Sequence, residues 1–196
     1  MTNIVLLLLV LVGAANVAAA QSPRAVVEVR SGFGLSRYLH GDLGYSAPSW
    51  LAAVRFGRGP LVVEAEVAGA AHEGHQTFAP VPGSAVPTVA ISTDVFRSAA
   101  ANVLGRWGRT VNAFAGGGPG LYWERSTYRL EAATGSYEQR QTRGPRLGGQ
   151  LVAGLDVPLA SRVKAFGAFR YEIRSFADPG GGSVVQFFGG VAFAIR

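Results

Sequence analysis

The chain has no cysteine, which excludes a disulfide framework, a thiolate metal site, a cysteine nucleophile and a lipoprotein anchor. Lys164 is its only lysine, so the formal net charge of +6 is almost entirely arginine. Such a bias reflects either genome base composition or a use for bidentate pairing with carboxylate and phosphate; the ratio alone is best explained by the first, and the second is reserved for individual positions. Beyond the first 20 residues no apolar run reaches the length of a transmembrane helix, so any membrane crossing must use strands. The 27 glycines and 10 prolines in 196 residues argue against a helical bundle and for one domain.

What is present is two-residue alternation, clearest in the final stretch. There Val185, Phe187, Val191, Phe193 and Ile195 share one parity and Gln186, Gly190, Ala192, Ala194 and Arg196 the other; Val184 and Phe188 are the large apolar residues out of phase. A strand sends successive side chains to opposite faces, so this is a two-faced strand. An open edge on such a terminal strand invites mispairing, which closure onto the first strand of a barrel removes.

The beginning of the chain reads differently. An apolar run from Ile4 to Val12 and an Ala18-Ala19-Ala20 ending fit a cleaved signal peptide over 1–20, with the exported domain over 21–196. From Ala25 the alternation recurs, with Val27, Val29, Phe33 and Leu35 set against Glu28, Arg30, Gly32 and Ser36. Trp50 to Phe56 and Leu61 to Ala68 follow, joined by the turn Gly57-Arg58-Gly59-Pro60. A polar connection over about Ala71 to Asp94 leads to AAANVLGRW, whose strand assignment rests on its neighbours. Next comes TVNAFAGGGPGLYWE, with glycines gathered on one face as the crowded inside of a narrow barrel requires. A second polar connection, about Ser126 to Gly144, precedes Arg146 to Val157. After a turn at Pro158 to Ser161, Val163, Ala165, Phe169, Tyr171 and Ile173 alternate with Arg162, Lys164, Arg170, Glu172 and Arg174. A glycine-rich loop, Asp178 to Gly182, joins this run to the last strand.

Eight runs with alternating long and short connections predict an all-β, eight-stranded antiparallel up-and-down transmembrane β-barrel, its tight turns and chain ends at the periplasmic rim. The terminal stretch resembles the last strand of the small eight-stranded outer-membrane barrels, the OmpA-like and OmpX-like families, although those usually end in an aromatic residue and this chain in Arg196. GGGPG resembles their glycine-rich fifth strand and NVLGRW the end of their fourth. The resemblance spans the whole exported part. It implies outer-membrane localisation, contact with outer-membrane lipid, a porin-like architecture and a monomer.

Alternation alone does not say which face is inside, and a soluble lipocalin-like binder of an apolar ligand would invert the two. Tryptophans at strand ends, asymmetric loops and small residues on the charged face favour lipid outside. The lumen of eight strands is just wide enough for side chains to fill, so Glu28, Arg30, Arg55, Glu64, Glu66, Arg106, Glu124, Arg146, Asp156, Arg170 and Glu172 are expected to pair there as a charge network that plugs it. Arg125, Arg129, Arg140 and Arg143 bracket the third outer connection and are candidates for contact with lipopolysaccharide phosphate, against the plainer reading that they pair with Glu131 and Glu138.

Signals for catalysis are sparse. His72-Glu73-Gly74-His75 is one residue short of the helical zinc spacing and reads as a solvated loop. A lipid-modifying barrel enzyme would need a serine, histidine and acid triad, and His40, His72 and His75 all fall in loops without a serine motif. No glycine-rich loop opens a helix, and the arginines form no single stripe, so neither a nucleotide cofactor nor nucleic acid is expected. The expectation is a non-enzymatic barrel with a structural, adhesive or surface-interaction role, without catalytic, cofactor or metal residues.

Overall fold

The computed structural model describes residues 26–39, 46–78, 88–132, 135–174 and 182–195, with only the backbone described at 58, 74–78, 88 and 132. The expected signal peptide, His40 and most of the Asp178 to Gly182 loop lie outside the described residues. Eight antiparallel strands follow in order: β1 (Val26–Tyr38), β2 (Ser46–Arg58), β3 (Leu61–Phe78), β4 (Thr88–Trp107), β5 (Asn112–Ala132), β6 (Gly135–Pro158), β7 (Val163–Ile173) and β8 (Ser183–Ile195). Each pairs with its neighbours in sequence, and β1 pairs with β8 from Val27↔Ile195 to Tyr38↔Val184, closing the ring. Closure leaves no strand edge facing hydrocarbon, where an unpaired N–H or C=O has no water to bind. In the β2–β3 turn, Gly57 (φ 136°) and Gly59 (φ 78°) take left-handed backbone that other residues rarely adopt.

The two faces separate cleanly. Phe33 is 76% exposed and Phe187 60%, while Glu64 and Asp156 are both 0% exposed. The apolar row therefore faces out and the charged row in, the reverse of the soluble binder considered above. Trp107 is exposed at the short-turn end, and Trp50 and Trp123 sit on the outer row toward the long connections. Trp50 lies flat over Gly69, where a Cβ would come within 2.7 Å of its Nε1.

The inside is not purely polar. Leu51, Val62, Leu104, Phe114, Phe166 and Phe188 form a buried apolar cluster among the charges. Glycines accommodate its rings: a Cβ on Gly154 would lie 2.5 Å from Phe114, and one on Gly190 would lie 2.8 Å from Phe166. Phe188 and Val184, out of phase in the sequence, point inward and fill this space.

Two connections differ from expectation. Most of Ala71 to Asp94 is paired strand, with β3 and β4 in register as far as Phe78↔Thr88. Likewise β5 and β6 stay paired to Ala132↔Gly135, absorbing nearly all of Ser126 to Gly144. Backbone pairing needs no apolar alternation, so the polar extensions of β3, β5 and β6 carry no two-residue signal; that of β4 does, with Val89, Ile91 and Val95 on one parity. A register shift between Tyr122 and Glu124 interrupts the β5–β6 ladder; Gly144 (φ 112°) and Pro145, which has no N–H to donate, lie opposite it.

Candidate functional site

Strands β1, β2, β3, β6 and β7 aim their inward residues at one level of the lumen. Asp156 bridges two guanidiniums, 2.9 Å from Arg30 Nη2 and 3.0 Å from Arg55 Nη1. The Arg30 contact is an ion pair outside hydrogen-bond geometry, whereas Arg55 donates properly. Glu64 accepts from Arg55 at 2.8 Å and from Arg170 at 3.3 Å, and lies 3.8 Å from Arg30. Arg170 also pairs with Glu66, and Lys164 with Glu28. Four cations thus face four carboxylates, which is the condition for keeping ions in so dry a space. Phenyl faces complete the cage: Arg30 lies 4.2 Å from the Phe166 centroid and Arg55 4.3 Å from that of Phe114.

The other lumenal candidates lie apart from this centre. Glu172 accepts from Arg174 at 3.0 Å and from Ser98 at 3.2 Å, nearer the long-connection end. Glu124 is half-buried and accepts from Ser126 at 3.2 Å, and Arg146 is half-buried too. Arg106 is half-buried near the short turns, with no hydrogen-bond partner for its buried Nε among the described residues. Sequence reasoning missed Lys164 and Arg174 as network members, though both stood in the inward row, and missed Asn102 and Gln150, which donate to Glu66 at 3.2 and 2.7 Å.

His72 is not in a loop. It lies on β3, 2% exposed and turned inward, with its Nε2 3.1 Å from Ser36 Oγ. It stands three residues past Gly69, the register partner of Trp50, or about 10 Å along the strand beyond the tryptophan level. Phe96 packs edge-on to it, with Tyr38 stacked on the same ring and Arg174 3.9 Å from that ring's centroid. Burial pushes the imidazole pKa below its ordinary value, and Arg174 adds to this against the Ser36 carbonyl and Asp94. Nδ1 has no partner among the described residues, so the serine and histidine lack the orienting acid of a triad. Glu73, next along the strand, is exposed, and no group of three or more metal-ligating side chains forms among the described residues.

The four outer arginines do not form one patch. Arg125 and Arg129 share the outward parity of Leu121 and Trp123, and Arg140 opposes Thr127 on that face. Arg143, across the register shift, opposes Glu124 of the inward row, and its Nη2 donates to Gln141 Oε1 at 3.2 Å. Arg129 pairs with Glu131 at 2.9 Å and Arg140 with Glu138 at 2.6 Å, both in solvent. Arg97, unremarked in the sequence, is exposed on the same outer face, opposite Trp123 in register and one diagonal from Arg125.

No protein-family model and no curated protein matches the sequence. Solved structures do match. The attachment invasion locus protein Ail of Yersinia pestis, in complex with the heparin analogue sucrose octasulfate, superposes with a TM-score of 0.55 at 12% identity, covering 87% of this chain and 99% of that one. A major outer membrane protein from Thermus thermophilus gives 0.55 at 14%, covering 88% and 100%. Neisserial surface protein A gives 0.51 at 10%, covering 85% and 96%. At such identities the likeness is one of fold, and this chain has the fold of the small eight-stranded outer-membrane β-barrels.

Proposed function

We propose that this chain is a monomeric outer-membrane barrel whose surface role is carried by β3 to β6 where they run on past the tryptophan level, above a lumen closed by its paired charges. The observation that carries the reading is the mismatch in strand lengths. Among the described residues β7 meets β6 only from Gly149↔Ile173, so residues 135–148 of β6 have β5 as their described strand partner. Among the described residues β3 likewise pairs with β2 no further than Ser49↔Ala70. A four-stranded ribbon rich in polar side chains that runs on past its described neighbours suits contact with molecules outside the cell.

Its chemistry favours polyanions. Arg97 stands level with Trp123 on the outer face and Arg125 two residues beyond it, the depth at which lipopolysaccharide phosphates sit in the outer leaflet, while Arg140 and Arg129 continue that face roughly 13 and 20 Å further out, toward the anionic sugars. Arg97 and Arg125 have no hydrogen-bond or ion-pair partner among the described residues. The Ail complex with a sulfated sugar is an instance of this fold holding such a ligand. Replacing Arg97, Arg125, Arg129 and Arg140 with glutamine is expected to abolish salt-sensitive binding of purified protein to lipopolysaccharide while leaving the unheated barrel compact on a gel. Equal, salt-insensitive binding by that variant refutes the assignment.

Ser36 and His72 favour a second reading, a lipid-modifying enzyme. Against it, Ser36 is 1% exposed and its hydroxyl also lies 3.3 Å from Ala47 O, so the pair serves better to tie β1 to β2 and β3. Deacylation of lipid A by wild type but not by Ser36→Ala would reverse that judgement.

A further inference from the structure

The outer wall carries a hollow of about 580 Å³ near its short-turn end. Ala115, Ala153 and Gly167 are its floor, and Trp107, Phe169 and Phe187 rise around it. A methylene group takes about the 30 Å³ of a liquid water, so an open hollow of this size has room for a stretch of acyl chain. In hydrocarbon such a depression does not stay empty, because every lining atom would forfeit its dispersion contacts. A flexible chain follows its contour at little cost.

Charge at the adjoining rim indicates what that chain belongs to. The three short connections carry Arg109 and Arg162 and no acid, and Arg58 ends β2 beside the first of them. Arg109 follows Trp107 by two residues, and Arg162 ends the turn between β6 and β7 below the hollow. Both are exposed, and neither guanidinium has a hydrogen-bond or ion-pair partner among the described residues, although the Arg162 carbonyl accepts from Ala194 N–H at 2.8 Å. The described carboxylates near this rim, Glu28, Glu64 and Asp156, are buried in the lumen and engaged by Lys164, Arg30, Arg55 and Arg170. A phosphate at headgroup depth therefore meets guanidinium without competing acid.

We propose that this hollow retains one anionic phospholipid of the periplasmic leaflet, its acyl chain on the Ala115, Ala153 and Gly167 floor and its phosphate at Arg109 and Arg162. This rests on the membrane orientation given under the proposed function, short turns inward. Lipopolysaccharide, held in the opposite leaflet, belongs to the other rim.

Trp107 lines the hollow and reports its occupancy. With Trp50 and Trp123 changed to phenylalanine it is the sole tryptophan, and brominated lipid quenches it on contact. In bilayers mixing unlabelled phosphatidylcholine with brominated phosphatidylglycerol, quenching is expected to show at least about fivefold enrichment over mole fraction, the factor contributed by each of the two arginines near an anionic headgroup. Arg109→Gln with Arg162→Gln is expected to return it to mole fraction. Gly167→Leu is expected to lower it by filling the hollow, and the change is tolerable because a Cβ there meets nothing within 4 Å. Quenching at mole fraction in wild type, unchanged in both variants, overturns the site. So does protection of Trp107 from all brominated lipid together with a cross-linked dimer, which makes a second copy the occupant. A companion protein keeping only Trp50 separates this from failure of the membrane reading, since Trp50 goes unquenched only when the barrel does not insert.

Discussion

Asp156→Asn isolates the centre of the lumenal network. The substitution keeps shape and one acceptor oxygen but removes the charge between Arg30 and Arg55, 2.9 and 3.0 Å away. Opposite charges at about 4 Å attract by roughly 4 kcal/mol at an effective dielectric near 20, and breaking a buried pair from one side typically costs about 3–5 kcal/mol. Glu64 remains within 2.8 Å of Arg55 and 3.8 Å of Arg30, so part of the attraction survives. We expect a loss of about 3 kcal/mol. Urea titration of the barrel in detergent micelles, followed by tryptophan emission, should move the midpoint down by about 1–3 M at a constant slope. Asp156→Leu combined with Arg30→Leu should recover most of that loss, because well-packed apolar replacements of a buried pair are often neutral. A loss below about 1 kcal/mol for Asp156→Asn, or a double variant no better than the single one, refutes the view that these charges depend on each other.

Phe169→Arg puts a cation on the lipid face beside Phe187, 5.2 Å away between ring centroids, and should weaken insertion by about 2–4 kcal/mol near the midplane, read from refolding yield into bilayers. Planar-bilayer recordings should show no steady porin-sized steps, because Arg30, Arg55 and Arg170 fill the lumen at 1% exposure each; large stable steps would contradict this. For His72, the folded mouth disfavours the imidazolium, so the unfolded chain takes up the proton first, near pH 6.5. Stability should therefore be flat above that value and decline as pH falls through it toward the lowered folded pKa, a dependence that His72→Gln removes from urea midpoints.

The sequence by itself determined the strands and their two faces wherever one face is apolar, because side-chain alternation is a local property of extended chain. Val163 to Ile173 and Val185 to Ile195 are legible for that reason, and so are the short glycine turns. Which face points inward was favoured by the strand-end tryptophans and uneven loops and fixed by closure: eight strands leave a lumen about as wide as its side chains, and lipid takes the opposite row. Closure also chose the partners, since Arg55 and Asp156 stand 101 residues apart and meet only across the ring. The extensions of β3, β5 and β6 were hidden because both their faces are largely polar and only backbone pairing defines them, whereas in β4 the row Val89, Ile91 and Val95 carried the alternation within a segment read as a polar connection. That pairing carried His72 from an apparent loop to a buried place beside Ser36, and the register shift at Tyr122 and Glu124 turned Arg143 away from Arg125, Arg129 and Arg140. Counting parity along one strand reveals neither, because each depends on how two strands align.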